Sequence, residues 1–385
     1  LELRNVLDTR RMGEPDLLLF AAIFTLAGIG FAMSYSASAV YAYRVFGDSF
    51  YFLKRQIIWG VIGLLALFIF QRIDYRIHAR YSRIMILLSI IILTVVLIPG
   101  IGSSVKGSSR WINIGFMNIQ PAEFVKLAVV IYLVNVYSAE AKKNRVMQLL
   151  APMIIISIIF VLIMLQPDFG TAMNLLIISA FIIFVSGFPM LYIFFISILS
   201  VPMFYLMVYQ VSYRWDRILA YIDPWKDRYG VGYHVIQSFT AFKKGGLLGV
   251  GLGLGAQKLA KLPEPHTDFV FAVIAEEAGL IGTVFIAIIF CFVFWRGMLI
   301  AMDAPDDFGR FLAIGLSLLI TVQAFVNMGV VTGILPTTGV PLPFISYGGS
   351  SLLSNMIAAG IILNISRYRE TSTRGVKLEE VWNYE

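Results

Sequence analysis

The stretch KLPEPHTDFVFAVIAEEAG, Lys261–Gly279, opens an apolar run that continues to about residue 298. Asp268 stands at the mouth of that run, and Glu276 and Glu277 lie inside it. The run has no strand-like alternation and exceeds the roughly 20 apolar residues that a helix needs to cross a bilayer. Pro263 and Pro265 stop any helix before His266, and Thr267 or Asp268 can cap the one that follows. A helix turns about 100° and rises about 1.5 Å per residue. Glu276 therefore points about 80° away from Asp268 and Glu277 about 180° away, both about 12 Å deeper. The three carboxylates cannot flank one bond in the manner of a glycosidase pair. Intramembrane carboxylates are functional candidates by default, although pairing with Lys126 or capping a kink is a structural alternative.

The rest of the chain agrees with a membrane reading. Of 385 residues, 59% are hydrophobic and only 14% are charged, with a mean hydropathy of +0.82. Soluble domains rarely exceed about half apolar. The pattern predicts an all-α polytopic fold of about ten spans, near 16–39, 51–71, 82–101, 120–138, 146–166, 170–187, 188–210, 268–298, 308–333 and 347–366. A β-barrel is not expected, because there is no series of short alternating segments. No cleavable signal is expected either, since the first apolar run is too long. With one cysteine, Cys291, and three scattered histidines, no internal disulfide or Cys/His metal cluster is expected.

With ten spans, the cations at Arg4, Arg10, Arg11, Arg72, Arg76, Arg80, Arg83, Lys142, Lys143, Arg145, Arg296, Arg310, Arg367, Arg369, Arg374 and Lys377 all fall on one side. The positive-inside rule makes that side cytoplasmic. This gives a cytoplasmic segment at 1–15, a membrane domain at 16–366 and a cytoplasmic tail at 367–385. It also accounts for the net charge of +7 without nucleic acid. The one long connection, 211–267, falls outside yet carries Arg214, Arg217, Lys226, Arg228, Lys243, Lys244, Lys258 and Lys261. A solvated loop would tolerate these charges, while a surface built for an anionic ligand would need them.

Other external junctions carry polar residues. In GSSRWINIGFMNIQPAEFVK (Gly107–Lys126), Glu123 and Lys126 stand three apart on one helical face and can pair, while Arg110 beside Trp111 suits an interfacial anchor or a phosphate contact. In QPDFG (Gln166–Gly170), Asp168 suits a helix N-cap. GVGLGLGAQK (Gly249–Lys258) lacks the spacing of a phosphate loop. In GILPTTGVPLPFISYGGSS (Gly333–Ser351), the prolines and glycines forbid a continuous helix. There Ser346, Tyr347, Gly348, Gly349 and Ser350 can either present hydroxyls and backbone N–H groups to a ligand or form a stiff re-entrant turn.

Together, RWINIG, QPAEFVK, QPDFGTA, YRWDRILAYIDPW, GYHVIQS, GGLLGVGLGLGAQK, LPEPHTDFVFAVIAEEAGLIG and PTTGVPLPFISYGGSSL resemble the SEDS family (shape, elongation, division and sporulation). The motifs run in family order from the third span to the last. They resemble the cell-division branch most closely; the elongation branch is the nearest rival, and the histidine of GYHVIQS is more typical of it. The resemblance implies a peptidoglycan glycosyltransferase that polymerises lipid II, the undecaprenyl-pyrophosphate-linked disaccharide pentapeptide, in septal wall synthesis. It makes Asp268 of HTDF the essential catalytic residue. It also implies a class B penicillin-binding protein as partner, alongside other division proteins.

That activity matches the residues. A positioned carboxylate can serve as general base for the attacking sugar hydroxyl. Cations such as Arg110, Arg214, Arg217, Lys243, Lys244 and Lys258 can meet the leaving pyrophosphate, with Glu123, Lys126, His266 and Thr267 close to it along the motifs. A hydrated divalent ion, magnesium or manganese, is compatible with this chemistry, and no organic cofactor is expected. The competing reading is a lipid II flippase, kept open by the intramembrane residues Glu276, Glu277, Gln323 and Asn327. A non-catalytic scaffold is the third reading.

Overall fold

A computed structural model of the protein describes residues 13–100, 102–105, 108–115, 117–138, 145–187, 212–230, 232–259 and 265–368. The expected span at 188–210, most of both tails, Lys142, Lys143, Lys261 and Pro263 lie outside the described residues. The helices are α1 (Leu17–Phe46), α2 (Tyr51–Arg72), α3 (Arg76–Val96), α4 (Pro121–Ser138), α5 (Arg145–Leu165), α6 (Phe169–Val185), α7 (Ser212–Ile222), α8 (Tyr233–Gly245), α9 (Val270–Met302), α10 (Asp307–Val331) and α11 (Gly349–Ser366). Seven of them, α1–α4 and α9–α11, are long and apolar enough to cross a membrane. Two shorter apolar helices, Leu150–Leu165 and Phe169–Val185, fall where spans five and six were expected. The protein is a multi-pass membrane protein.

Helices α4, α10 and α11 form the centre and are buried on nearly all sides. By contrast α2, α3 and the inner half of α9 bury one stripe, such as Ser82, Ile86, Ser89 and Leu93, and turn leucines, isoleucines and phenylalanines outward. Such a surface would be intolerable in water and suits lipid. Without a hydrophobic force between helices in lipid, close packing has to hold them. Here α11 lies directly on α2, where a Cβ at Gly349 would collide with the Trp59 ring.

The third span starts earlier than expected, at Arg76 rather than residue 82. Arg76, Arg80 and Arg83 belong to the helix itself, because long cationic side chains can reach past its end to a polar surface. The cationic ends do gather at one end of the bundle. Asp16 caps α1 and receives Arg296 at 2.6 Å, Gly13 N–H donates to Arg367 O, and Asp306 caps α10 while receiving Arg76 and the Tyr75 hydroxyl.

The opposite end holds two features that hydropathy did not reveal. Residues between α3 and α4 form a three-stranded antiparallel sheet, β1 (Gly102–Val105), β2 (Ser108–Ile114) and β3 (Met117–Ile119), with Ile112 opposite Ile119. The long 211–267 connection is also largely ordered. It contains α7, α8 and a glycine-rich segment that folds back onto α9.

That fold-back has a physical cause. Gly279 (φ 66°, ψ −162°) breaks α9 one-third of the way along, a left-handed conformation that only glycine adopts readily. The backbone groups released by the kink need partners, because lipid offers none. Leu280 and Ile281 N–H donate to Gly246 and Leu247 carbonyls, and Val250 and Gly251 N–H donate to Glu276 and Glu277 carbonyls. Loop and kink complete each other.

Candidate active site

Asp268 lies in the turn Pro265–Phe269 that precedes α9 and is half-buried. Three successive carbonyls of this turn are held by separate donors. Tyr347 N–H donates to His266 O at 2.8 Å, Ser346 Oγ donates to Thr267 O at 2.6 Å, and Asn327 Nδ2 donates to Asp268 O at 2.9 Å. The same amide of Asn327 donates to Val340 O at 2.8 Å, so one α10 side chain ties the Asp268 turn to the 336–351 segment. The Asp268 carboxylate lies beside Gly339, where a Cβ would sit 3.4 Å from Oδ2. His266 is boxed by the rings of Tyr41, Phe52 and Tyr347. The expected residues Asp268, His266, Thr267, Ser346, Tyr347 and Asn327 therefore form one unit.

Next to this unit opens a cavity of about 390 Å³. Thr267, Tyr347, Gly348 and Gly349 form one wall, and Arg55, Trp59, Trp111 and Asn118 form much of the rest. Arg55 lies beside the Tyr347 hydroxyl and over the Tyr51 ring. Burial pushes the Tyr347 hydroxyl pKa up, and Arg55 opposes that rise. Sequence reasoning missed Arg55 and Trp59, since both sit in what reads as an ordinary span. The available signal was a cation at the end of a span opposite the other arginines.

The remaining expected contacts are placed differently. Lys126 and Glu123 pair at 3.0 Å with side chains only 2% exposed. Lys126 also donates to Gln323 Oε1 at 2.6 Å, and Gln323 Nε2 donates to Pro341 O and Ser351 Oγ. As arranged, these residues brace the 336–351 segment from within and are out of reach of a ligand on the surface. Ser350 Oγ is likewise internal and accepts from Gln120 N–H. Arg110 is fastened to the carbonyls of Gln166 and Pro167 and lies 3.8 Å from Asp168; it clamps the turn that Asp168 caps. Arg217 donates to Thr337 O and lines a separate cavity of about 290 Å³. Arg214 is in α7, and its side chain is outside the described set. Lys243 and Lys244 are exposed at the end of α8, where cations complement the helix dipole.

Glu276 and Glu277 do not line an open path. Glu276 accepts from the backbone N–H groups of Ala256 and Gln257, and Glu277 accepts from Gly253 N–H, Ser36 and Lys258. Both carboxylates hold the folded-back glycine-rich loop. Lys258 is therefore internal too.

Residues 16–371 match the family described as Cell cycle protein, the FtsW/RodA/SpoVE group. The chain belongs to this family. Within the FtsW/RodA/SpoVE family it is FtsW-like. It is 44% identical to the Probable peptidoglycan glycosyltransferase FtsW of Geobacter metallireducens, over 94% of this chain and 96% of that protein. It is 41% identical to the Stage V sporulation protein E of Bacillus subtilis, over 94% and 99%. Among solved structures, a chain from a peptidoglycan synthase complex that coordinates polymerization and crosslinking superposes with a TM-score of 0.76 at 28% identity, covering 93% of this chain and 99% of that one. The rod shape determining protein RodA of Thermus thermophilus shares the fold, with a TM-score of 0.67 at 24% identity over 93% of this chain and 98% of that one.

Proposed function

We propose that this protein is a peptidoglycan glycosyltransferase that polymerises lipid II at the outer face of the cytoplasmic membrane during septal wall synthesis. The observation that carries the reading is Asp268, a carboxylate held through three backbone carbonyls at the lip of a cavity lined by a cation and two indoles. The FtsW-type relatives support the reaction class. The cationic ends of α3, α9 and α10 gather at the opposite end of the bundle, which supports cytoplasmic termini.

In the reaction, a hydroxyl of the acceptor sugar attacks the anomeric carbon of the donor. A carboxylate oxygen of Asp268 takes the hydroxyl proton as the new C–O bond forms. The bond from the anomeric carbon to the pyrophosphate breaks, and its electron pair leaves with the lipid pyrophosphate. Among the described residues no group of three His, Cys, Asp or Glu side chains could hold a metal ion. A fully protein-ligated ion therefore does not fit these residues. A hydrated magnesium or manganese ion needs only one or two carboxylates beside the substrate phosphates, and Asp268 suits that role. Its partner in this reading is a class B penicillin-binding protein, together with other division proteins, and the likeness to a chain from a peptidoglycan synthase complex supports it.

A flippase needs two compartments and a polymerase needs none. Purified protein in detergent, with its class B partner disabled at the transpeptidase serine, should convert lipid II into glycan chains when magnesium is present. Lipid II transfer across vesicle leaflets without any new glycosidic bond would replace this reading with the transporter.

A further inference from the structure

We infer that Arg55 binds the pyrophosphate of the polyprenyl-linked sugar donor, and that Trp59 and Trp111 form the walls for the attached sugar. The inference rests on the glycosyltransferase reading and adds Arg55 and Trp59, which lie in none of the motifs.

The argument begins with the other cations. A leaving pyrophosphate needs positive charge close to the carboxylate that activates the acceptor. Lys126 and Lys258 are buried in ion pairs with Glu123 and Glu277. Arg110 is fastened to two carbonyls and Asp168, Lys54 is paired with Asp48, and Arg217 lines the other cavity. Arg55 is different. No carboxylate pairs with it among the described residues, and its neighbours Tyr51 and Tyr347 are neutral aromatics. It lines the same cavity as Thr267, the residue next to Asp268.

The cavity also suits the rest of such a ligand. A guanidinium offers planar, paired donors to phosphate oxygens. The indoles of Trp59 and Trp111 give flat apolar faces for the C–H side of a sugar ring, and Asn118 gives an amide for its hydroxyls. Ile58, also on the wall, is 48% exposed on the outward side of α2, so the cavity meets the lipid where a polyprenyl chain would enter.

The test compares wild type, Arg55→Gln and Arg55→Lys in the detergent polymerisation assay with the class B partner present. It uses undecaprenyl pyrophosphate, which carries the pyrophosphate and no sugar, as a competing inhibitor. Arg55→Gln should lower kcat/KM by about 100-fold and weaken inhibition by undecaprenyl pyrophosphate at least about 10-fold, with Tm unchanged. Arg55→Lys keeps the charge and loses the fork, so it should fall between the two. If wild type makes no polymer, the glycosyltransferase reading fails. If wild type polymerises and Arg55→Gln loses activity with unaltered inhibition, Arg55 is structural and the inference is wrong. Should Arg55→Gln not fold, Arg55→Lys decides: unaltered inhibition overturns the inference, and a several-fold weaker inhibition at unchanged Tm supports it.

Discussion

Lys258 Nζ lies 2.5 Å from Glu277 Oε1, and both side chains are shut away inside the protein. Ser36 of α1 donates to the same carboxylate. The pair joins the far end of the glycine-rich loop to the kinked part of α9. Removing one partner of a buried pair leaves the other charge uncompensated, at a cost of about 3–5 kcal/mol. Glu277→Gln should therefore lower Tm sharply, and the double variant Glu277→Gln, Lys258→Met should recover most of the loss. Thermal melts in detergent check this. A double variant as unstable as the single one would show that the ion pair is not what holds the loop.

Asn327 gives the site its most economical constraint, one amide serving two carbonyls. Asn327→Ala leaves Asp268 O and Val340 O without that donor, at about 1–3 kcal/mol for each group left unsatisfied. A displaced general base loses rate more than binding. Steady-state kinetics should show kcat down by about 10–100-fold with donor KM within about two-fold of wild type. A fall confined to KM would mean that Asn327 acts on binding instead of on the placement of Asp268.

Much of this was legible in the sequence, and the reasons differ by element. Nine of the ten expected spans coincide with described helices, because bilayer-length apolar runs leave a strong signal. The HTDF and PFISYGG motifs each supplied candidate site residues, and Ser346 and Tyr347 join them by donating to Thr267 O and His266 O. What hydropathy could not carry was the destination of polar groups. Lys126, Lys258, Glu276 and Glu277 looked like ligand contacts or a transport path because the sequence does not say which loop returns to meet them. Arg55 and Trp59 were hidden for the opposite reason, since a cation and an indole at a span's end read as ordinary anchors. The β2–β3 hairpin was missed because three short strands in a loop give too few alternations to count.

The assigned orientation is open to a direct check. Tyr229 is 95% exposed in the segment between α7 and α8, and Asp307 is exposed at the opposite end, at the start of α10. With Cys291 replaced, Tyr229→Cys should react with an impermeant thiol reagent added to intact cells, and Asp307→Cys should react only after lysis. The reverse pattern would place Asp268 in the cytoplasmic leaflet and remove the site from its substrate.

The account depends most on Asp268, and Asp268→Asn tests it most directly. The amide keeps the size of the side chain, and the turn is held through its backbone carbonyls, so the fold should survive. An amide cannot take a proton from the acceptor hydroxyl. Purified Asp268→Asn, in complex with its class B partner, should show wild-type Tm and retained donor binding. Glycan formation from lipid II should fall by at least about 100-fold. Polymer at a near-normal rate from a folded Asp268→Asn protein would contradict the account.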